Sequence, residues 1–161
     1  PSLRGPCRCR KPSTGMVEDA LAEHGVPAWR SVLIGDASID LVVAHGVWNL
    51  ARSGAELRRG IAEAARVARP GAGLFVFTFS RATLSPSDQP VPGETFVFTQ
   101  FAGEPQCFLT EEELLDELLR AGFERDPPGP LTEYNRPVPG RTLTRGGPVI
   151  YEGTFRAVRR H

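Results

Sequence analysis

Apolar positions recur along this chain with two periods, one helical and one of buried strands. Behind Ser53, the residues Leu57, Ile61, Ala64 and Ala68 form one apolar stripe, which predicts a capped helix over Ala55–Ala68. Arg69-Pro70-Gly71 should end it, since proline cannot continue the helix and glycine supplies the turn. Gly73 to Phe79 (GLFVFTF) is almost continuously apolar, as expected of a strand in an α/β sheet. Asp40 to His45 (DLVVAH) is a β-branched run closed by Gly46, and supplies the first strand of a βαβ unit. Further on, Leu109-Thr110-Glu111-Glu112-Glu113-Leu114 predicts a full helix start. Thr110 caps, Glu113 completes the capping box and Leu109 staples onto Leu114. That helix should run to Gly122, and Phe123 opens a short strand. Val149 to Val158 alternates, with Gly153 interrupting, and predicts an edge or hairpin strand that ends the fold.

The earlier residues are patterned differently. Pro1 to Pro12 is basic and punctuated by Gly and Pro, and predicts a loop. Met16 to His24 places Met16, Val17, Ala20 and Leu21 on one helical face, and Ser31 to Ile34 (SVLI) predicts a buried strand. Only about four residues separate SVLI from the Asp40 run, whereas a parallel crossover takes a dozen or more. The two are therefore not consecutive parallel strands of one sheet. Ser80 to Cys107 is a Pro-rich insertion with one alternating piece, Thr95 to Phe101, of the length that lids and binding loops have. A second Pro/Gly-rich loop is expected over Pro127–Pro148.

Composition narrows the function classes. The 161 residues carry 19 Lys+Arg against 19 Asp+Glu, so the formal net charge is zero and no nucleic-acid partner is expected. No apolar run approaches the roughly 18–20 residues that span a bilayer, so no membrane partner is expected either. No charged-then-apolar leader opens the sequence, so no secretory signal is expected. Three cysteines, an odd number, fit a reducing compartment and predict a cytoplasmic location. Lys11 is the sole lysine of an arginine-rich chain.

From Asp40 to Arg160, four consecutive segments stand in a familiar order. They are SIDLVVAHGVWNL, AELRRGIAEAARVARPGAGLFVFTFSR, FLTEEELLDELLRAGFE and GGPVIYEGTFRAVR. Together they resemble the C-terminal half of a class I S-adenosylmethionine-dependent methyltransferase. The resemblance implies an α/β fold: an incomplete Rossmann-like sheet holding strands four to seven, flanking helices and a terminal antiparallel hairpin. No G-x-G-x-x-G turn stands before Asp40 to grip a nucleoside. About residues 5–46, CRCRKPSTGMVEDALAEHGVPAWRSVLIGDASID resembles a haloacid-dehalogenase-type phosphatase, nearest to those acting on heptose bisphosphates. There the resemblance gives Lys11 to a phosphorylated aspartate, Asp36 and Asp40 to magnesium, and Cys7 with Cys9 to half of a zinc loop. The aspartate nucleophile of that family and the other zinc ligands have no counterpart here; Cys107 is remote. The division expected is a phosphatase-like segment over 1–39 and a methyltransferase-like domain over 40–161.

The methyltransferase resemblance implies S-adenosylmethionine as cofactor and a small-molecule methyl acceptor. Ala44, His45 and Gly46 follow the first strand of the βαβ unit at the carboxyl edge, where open α/β sheets bind ligands. They are the expected cofactor contacts. His45 is also the expected catalytic group, because histidine can take a proton near neutral pH. Trp48, Phe79, Ser80 and Tyr134 are the expected substrate contacts. Asp36 and Asp40 are metal ligands only under the phosphatase reading, which alone implies magnesium. A third reading is non-catalytic: a strand edge left uncovered pairs with a partner or a second copy, giving a homo-oligomer.

Overall fold

The computed structural model describes residues 39–136 and 147–158. Lys11, Cys7, Cys9 and Asp36, with the helix expected at Met16–His24 and the strand at Ser31–Ile34, lie outside the described residues.

Strand β1 (Ile39–His45) leads through a short 3-10 turn, Trp48–Leu50, into helix α1 (Gly54–Val67). Ser53 caps that helix, its side chain accepting the Glu56 N–H. Strand β2 (Ala68–Phe79) returns parallel to β1, so the βαβ unit expected from the pattern is present. Its first part is looped out: Ile39 pairs with Ala68, but Leu41 already pairs with Gly73. Arg69, in that loop, forms an ion pair with Asp40.

The Ser80–Cys107 insertion contains a two-stranded ribbon, β3 (Val97–Phe98) with β4 (Gln106–Cys107), shorter than the alternating run from Thr95 to Phe101 predicted. Helix α2 (Glu111–Ala121) begins with the capping box of Thr110 and Glu113 and ends on Gly122 at φ 92°. Strands β5 (Phe123–Arg125), β6 (Thr132–Tyr134) and β7 (Ile150–Ala157) complete the main sheet.

The main sheet has the order β1-β2-β7-β5, with β6 also on β7, and β7 is antiparallel to each of its neighbours. Two expectations are corrected here. Of the two alternatives for the Val149–Val158 run, the hairpin stands, since β7 pairs antiparallel with β6, and the edge does not, since β7 lies inside the sheet. Part of the loop expected over Pro127–Pro148 is strand β6, which hydrogen bonds along the first half of β7. Gly153 does not weaken β7. A Cβ placed there would stand 2.5 Å from Leu131 and 2.9 Å from the Arg125 guanidinium, so the missing side chain is the room they occupy.

Helices α1 and α2 cover one face of this sheet. Leu57, Ile61 and Ala64 of α1 and Leu114 and Leu118 of α2 bury Ala44, Leu74, Val76, Tyr151 and Phe155 in one core. On the opposite face, Leu41 and Val43 are 59% and 54% exposed, and Phe75, Phe77 and Phe79 are half-buried. The near-continuous apolar run of β2 predicts cover on both faces; among the described residues, helices supply it on one.

Candidate functional site at the carboxyl edge

The parallel pair β1–β2 ends where β7 begins, and the residues singled out in the sequence gather at this edge. Ala44 is buried against the helices, and His45, on the alternate face, is exposed. The imidazole lies against Phe77, ring centroids 4.3 Å apart and planes within 3°. Gly46 adopts φ 66° and donates its N–H to the Phe77 carbonyl at 2.8 Å, turning the chain out of the sheet. Among the described residues, a Cβ on Gly46 would meet only Asn49 Oδ1, 4.0 Å away. The backbone of this turn is thus open to close approach, as a carboxyl-edge ligand requires. Asn49 Oδ1 and Thr78 Oγ1 are buried and lack hydrogen-bond partners among the described residues.

Phe79, at the end of β2, joins an aromatic cluster with Phe101 and Phe108 at 5.6 and 5.4 Å. Phe101 remains exposed. Arg81 fastens the insertion in place. Its guanidinium donates to the carbonyls of Phe108 and Thr95, pairs with Glu113 at 3.0 Å and lies 4.4 Å over the Phe98 ring. Tyr134, half-exposed on β6, donates its hydroxyl to Glu152 at 3.2 Å, and that bond holds the phenol above its ordinary pKa. Tyr134 pairs with Ile150, which in turn pairs with Phe79, so β6 brings Tyr134 to the same edge.

Ala44, His45, Gly46, Phe79, Ser80 and Tyr134 therefore share one end of the sheet, but they are not equally available. Ser80 is fully buried, and its hydroxyl accepts the Ala82 N–H to cap a short turn. Trp48 is buried too, its indole against Gly60 of α1. Both side chains pack the edge from beneath. Asp40 lies at the far end of β1, engaged by Arg69. Among the described residues, no cluster of three or more metal-binding side chains occurs. The Phe77 stack and the Tyr134–Glu152 bond were not singled out from the sequence, because only strand register brings them together.

A groove of about 630 Å3 lies at the opposite end of the sheet, between α1 and α2. Its rim includes Arg58 and Arg120, both hydrogen bonded to Glu117, which is only 7% exposed. Burial of a paired carboxylate against an alanine-rich floor is helix packing, and the carboxyl edge has the better claim to chemistry.

Comparison with solved structures places this arrangement. A 1,6-didemethyltoxoflavin-N1-methyltransferase of Burkholderia thailandensis, solved with bound 1,6-didemethyltoxoflavin and S-adenosylhomocysteine, superposes with a TM-score of 0.56 at 19% identity. The match covers 94% of this chain and 59% of that one. A methyltransferase of Methanosarcina mazei gives 0.55 at 20% identity, over 94% of this chain and 80% of that one. The fold is a Rossmann-like methyltransferase fold.

A Haloferax volcanii methyltransferase, solved in complex with a methyltransferase activator, matches this fold at a TM-score of 0.56 and 14% identity, covering 92% of this chain and 70% of its own. The chain spans less than two-thirds of the length of the Burkholderia methyltransferase. The family described as HAD-hydrolase-like matches residues 8–47, so both resemblances read from the sequence are found. No curated protein matches the chain. No helix among the described residues is long and apolar enough to cross a membrane.

Proposed function

We propose that residues 40–161 form the rear half of an S-adenosylmethionine-dependent methyltransferase, acting on a small-molecule acceptor in the cytoplasm. The supporting observation is the open Gly46 turn beside the exposed, stacked His45 at the carboxyl edge of a methyltransferase-like sheet. His45 and Gly46 would meet the methionine end of the cofactor, with Ala44 buried beneath them, and Phe79 and Tyr134 would face the acceptor. When bound, S-adenosylmethionine supplies an electrophilic methyl group on sulfur. His45 would take the proton that the acceptor's nucleophilic atom loses as that atom bonds to the methyl carbon, the carbon–sulfur bond breaks and the neutral thioether leaves. The surrounding aromatic side chains exclude water and align the acceptor. Among the described residues no glycine-rich turn is present to hold the nucleoside end, so affinity should be weak, short of a full site by several kcal/mol on an order-of-magnitude basis.

The test is calorimetric titration of S-adenosylhomocysteine into the full chain, beside Gly46→Val. Weak heats abolished by the substitution are expected; heats that survive it place the ligand elsewhere and overturn the reading.

A phosphatase reading has the match over residues 8–47 in its favour. It would use Lys11, Asp36 and Asp40 with magnesium, yet Asp40 sits in a strand and pairs with Arg69. Magnesium-dependent phosphate release from sugar phosphates is its test, and none is expected.

A further inference from the structure

We propose, resting on the methyltransferase reading, that Asn49 is a binding residue for the amino group at the methionine end of the cofactor. This residue stands where an open space meets an unpaired acceptor. Beside the Gly46 Cα, among the described residues, Asn49 Oδ1 is the only heavy atom outside the chain neighbours within 4 Å of a Cβ built there. The oxygen belongs to a side chain only 2% exposed, and it has no hydrogen-bond partner among the described residues.

Buried amides are normally paired, because an unpaired carbonyl oxygen gives up its bonds to water and gains none. A leucine of similar size would fill the same space without that cost. The turn also holds the amide in place. Trp48 packs its indole against Gly60 of α1, and its carbonyl accepts the Ala51 N–H at 3.2 Å. The Ala51 carbonyl in turn accepts the Cys107 thiol. Fixed neighbours thus stand on either side of Asn49 and keep its oxygen at the wall of the Gly46 turn.

The chemistry of that oxygen selects the group it takes. A side-chain carbonyl oxygen only accepts hydrogen bonds, so it favours an N–H donor and disfavours a carboxylate. Thr78 Oγ1, likewise buried and unpartnered among the described residues, both donates and accepts, and so does not discriminate. The methionine end of S-adenosylmethionine carries an ammonium and a carboxylate, and the ammonium is the one that suits Asn49. From the Gly46 Cβ position, 4.0 Å away, the oxygen is about 1 Å beyond hydrogen-bond reach, a gap that a small rotation of the amide closes.

The test is calorimetric titration of the full chain with S-adenosylhomocysteine and with its deaminated analogue, in which hydrogen replaces the α-amino group. The wild type should bind the amino compound about tenfold tighter, the effect of one charge-assisted hydrogen bond. Asn49→Leu should abolish that preference while its stability in urea equals or exceeds that of the wild type, since no bonded group is lost. An asparagine with a purely structural role would behave oppositely, losing stability and leaving the preference intact. If the leucine variant does not fold, Asn49→Asp, which keeps an acceptor and adds charge, should widen the preference about threefold. An unchanged preference in that variant then overturns the proposal. Equal binding of both compounds by the wild type also overturns it, as does a preference that survives Asn49→Leu or is lost only together with stability. Heat from both compounds without a preference leaves the methyltransferase reading standing, whereas no heat from either overturns that reading and this inference with it.

Discussion

His45 and Phe77 are neighbours across the parallel β1–β2 ladder, and their rings lie 4.3 Å apart with planes 3° from parallel. The stack fixes an otherwise exposed imidazole at a sheet edge where the chain turns away on a glycine. The histidine's ring protons should therefore resonate upfield of those of an unstructured histidine. Phe77→Leu should move them back and destabilise the fold by about 1 kcal/mol. Two-dimensional NMR with His45→Ala as the assignment control measures the first effect, and urea unfolding the second. An unchanged resonance in Phe77→Leu would mean the imidazole is held by something else.

Glu117 is the buried carboxylate that ties the helices together. Arg58 reaches it from α1 at 2.9 Å and Arg120 from its own helix at 3.2 Å. Both guanidinium groups are largely exposed, so water screens the pair and the loss on breaking it is less than for a fully buried one. Glu117→Ala should lower unfolding free energy by about 1–2 kcal/mol. Arg120→Ala should cost less than half of that, because the two-pronged Arg58 contact survives.

The interior position of β7 makes a sharp packing prediction. Gly153→Ala forces a methyl group onto Leu131, which is buried, and onto Arg125, which the carbonyls of Thr154, Gly129 and Pro130 hold. Neither neighbour is free to swing aside, so a loss of about 1–3 kcal/mol is expected. Leu131→Ala in the same chain should return part of it. A double-mutant cycle in urea measures the coupling, and simple additivity would show that the two sites do not meet.

Cys107 reports on the core beneath the insertion. Burial, helped by Glu94 and Glu56, pushes its thiol up to about 12, and the sulfur donates to the Ala51 carbonyl at 3.4 Å. In the unfolded chain a thiol ionises near ~8.5. The stability tied to the neutral thiol is thus complete below that pH and falls as pH rises toward 12. In a Cys7→Ser/Cys9→Ser background, a thiol reagent at pH 9 should react on the order of a hundredfold slower with native than with urea-unfolded protein. Equal rates would mean the insertion does not cover Cys107.

Much of this fold was legible in local chemistry. Ser53, Thr110, Glu113 and Gly122 mark helix ends because capping is decided within a few residues, and the helices begin and end beside them. Ile39–His45 and Gly73–Phe79 read as strands because buried β-branched and aromatic runs suit little else. What escaped was set by partners distant in sequence. Thr132–Tyr134 carries no strand pattern of its own and becomes β6 through Glu152, Tyr151 and Ile150. Gly153 reads as an interruption until Leu131 and Arg125 are seen to fill its place. At the site, position after a strand end located Ala44, His45 and Gly46 correctly at the carboxyl edge. It could not tell that Ser80 and Trp48 point into the protein, since burial depends on α1 and the turn that Ser80 caps.

The central claim is that this carboxyl edge meets a sulfonium cofactor. Its most direct measurement is a backbone NMR titration of the full chain with S-adenosylhomocysteine up to millimolar concentration. The account predicts progressive shifts at the amides of Ala44, His45 and Gly46, with none around the groove between α1 and α2. Shifts confined to that groove, or a spectrum that never changes, would contradict it.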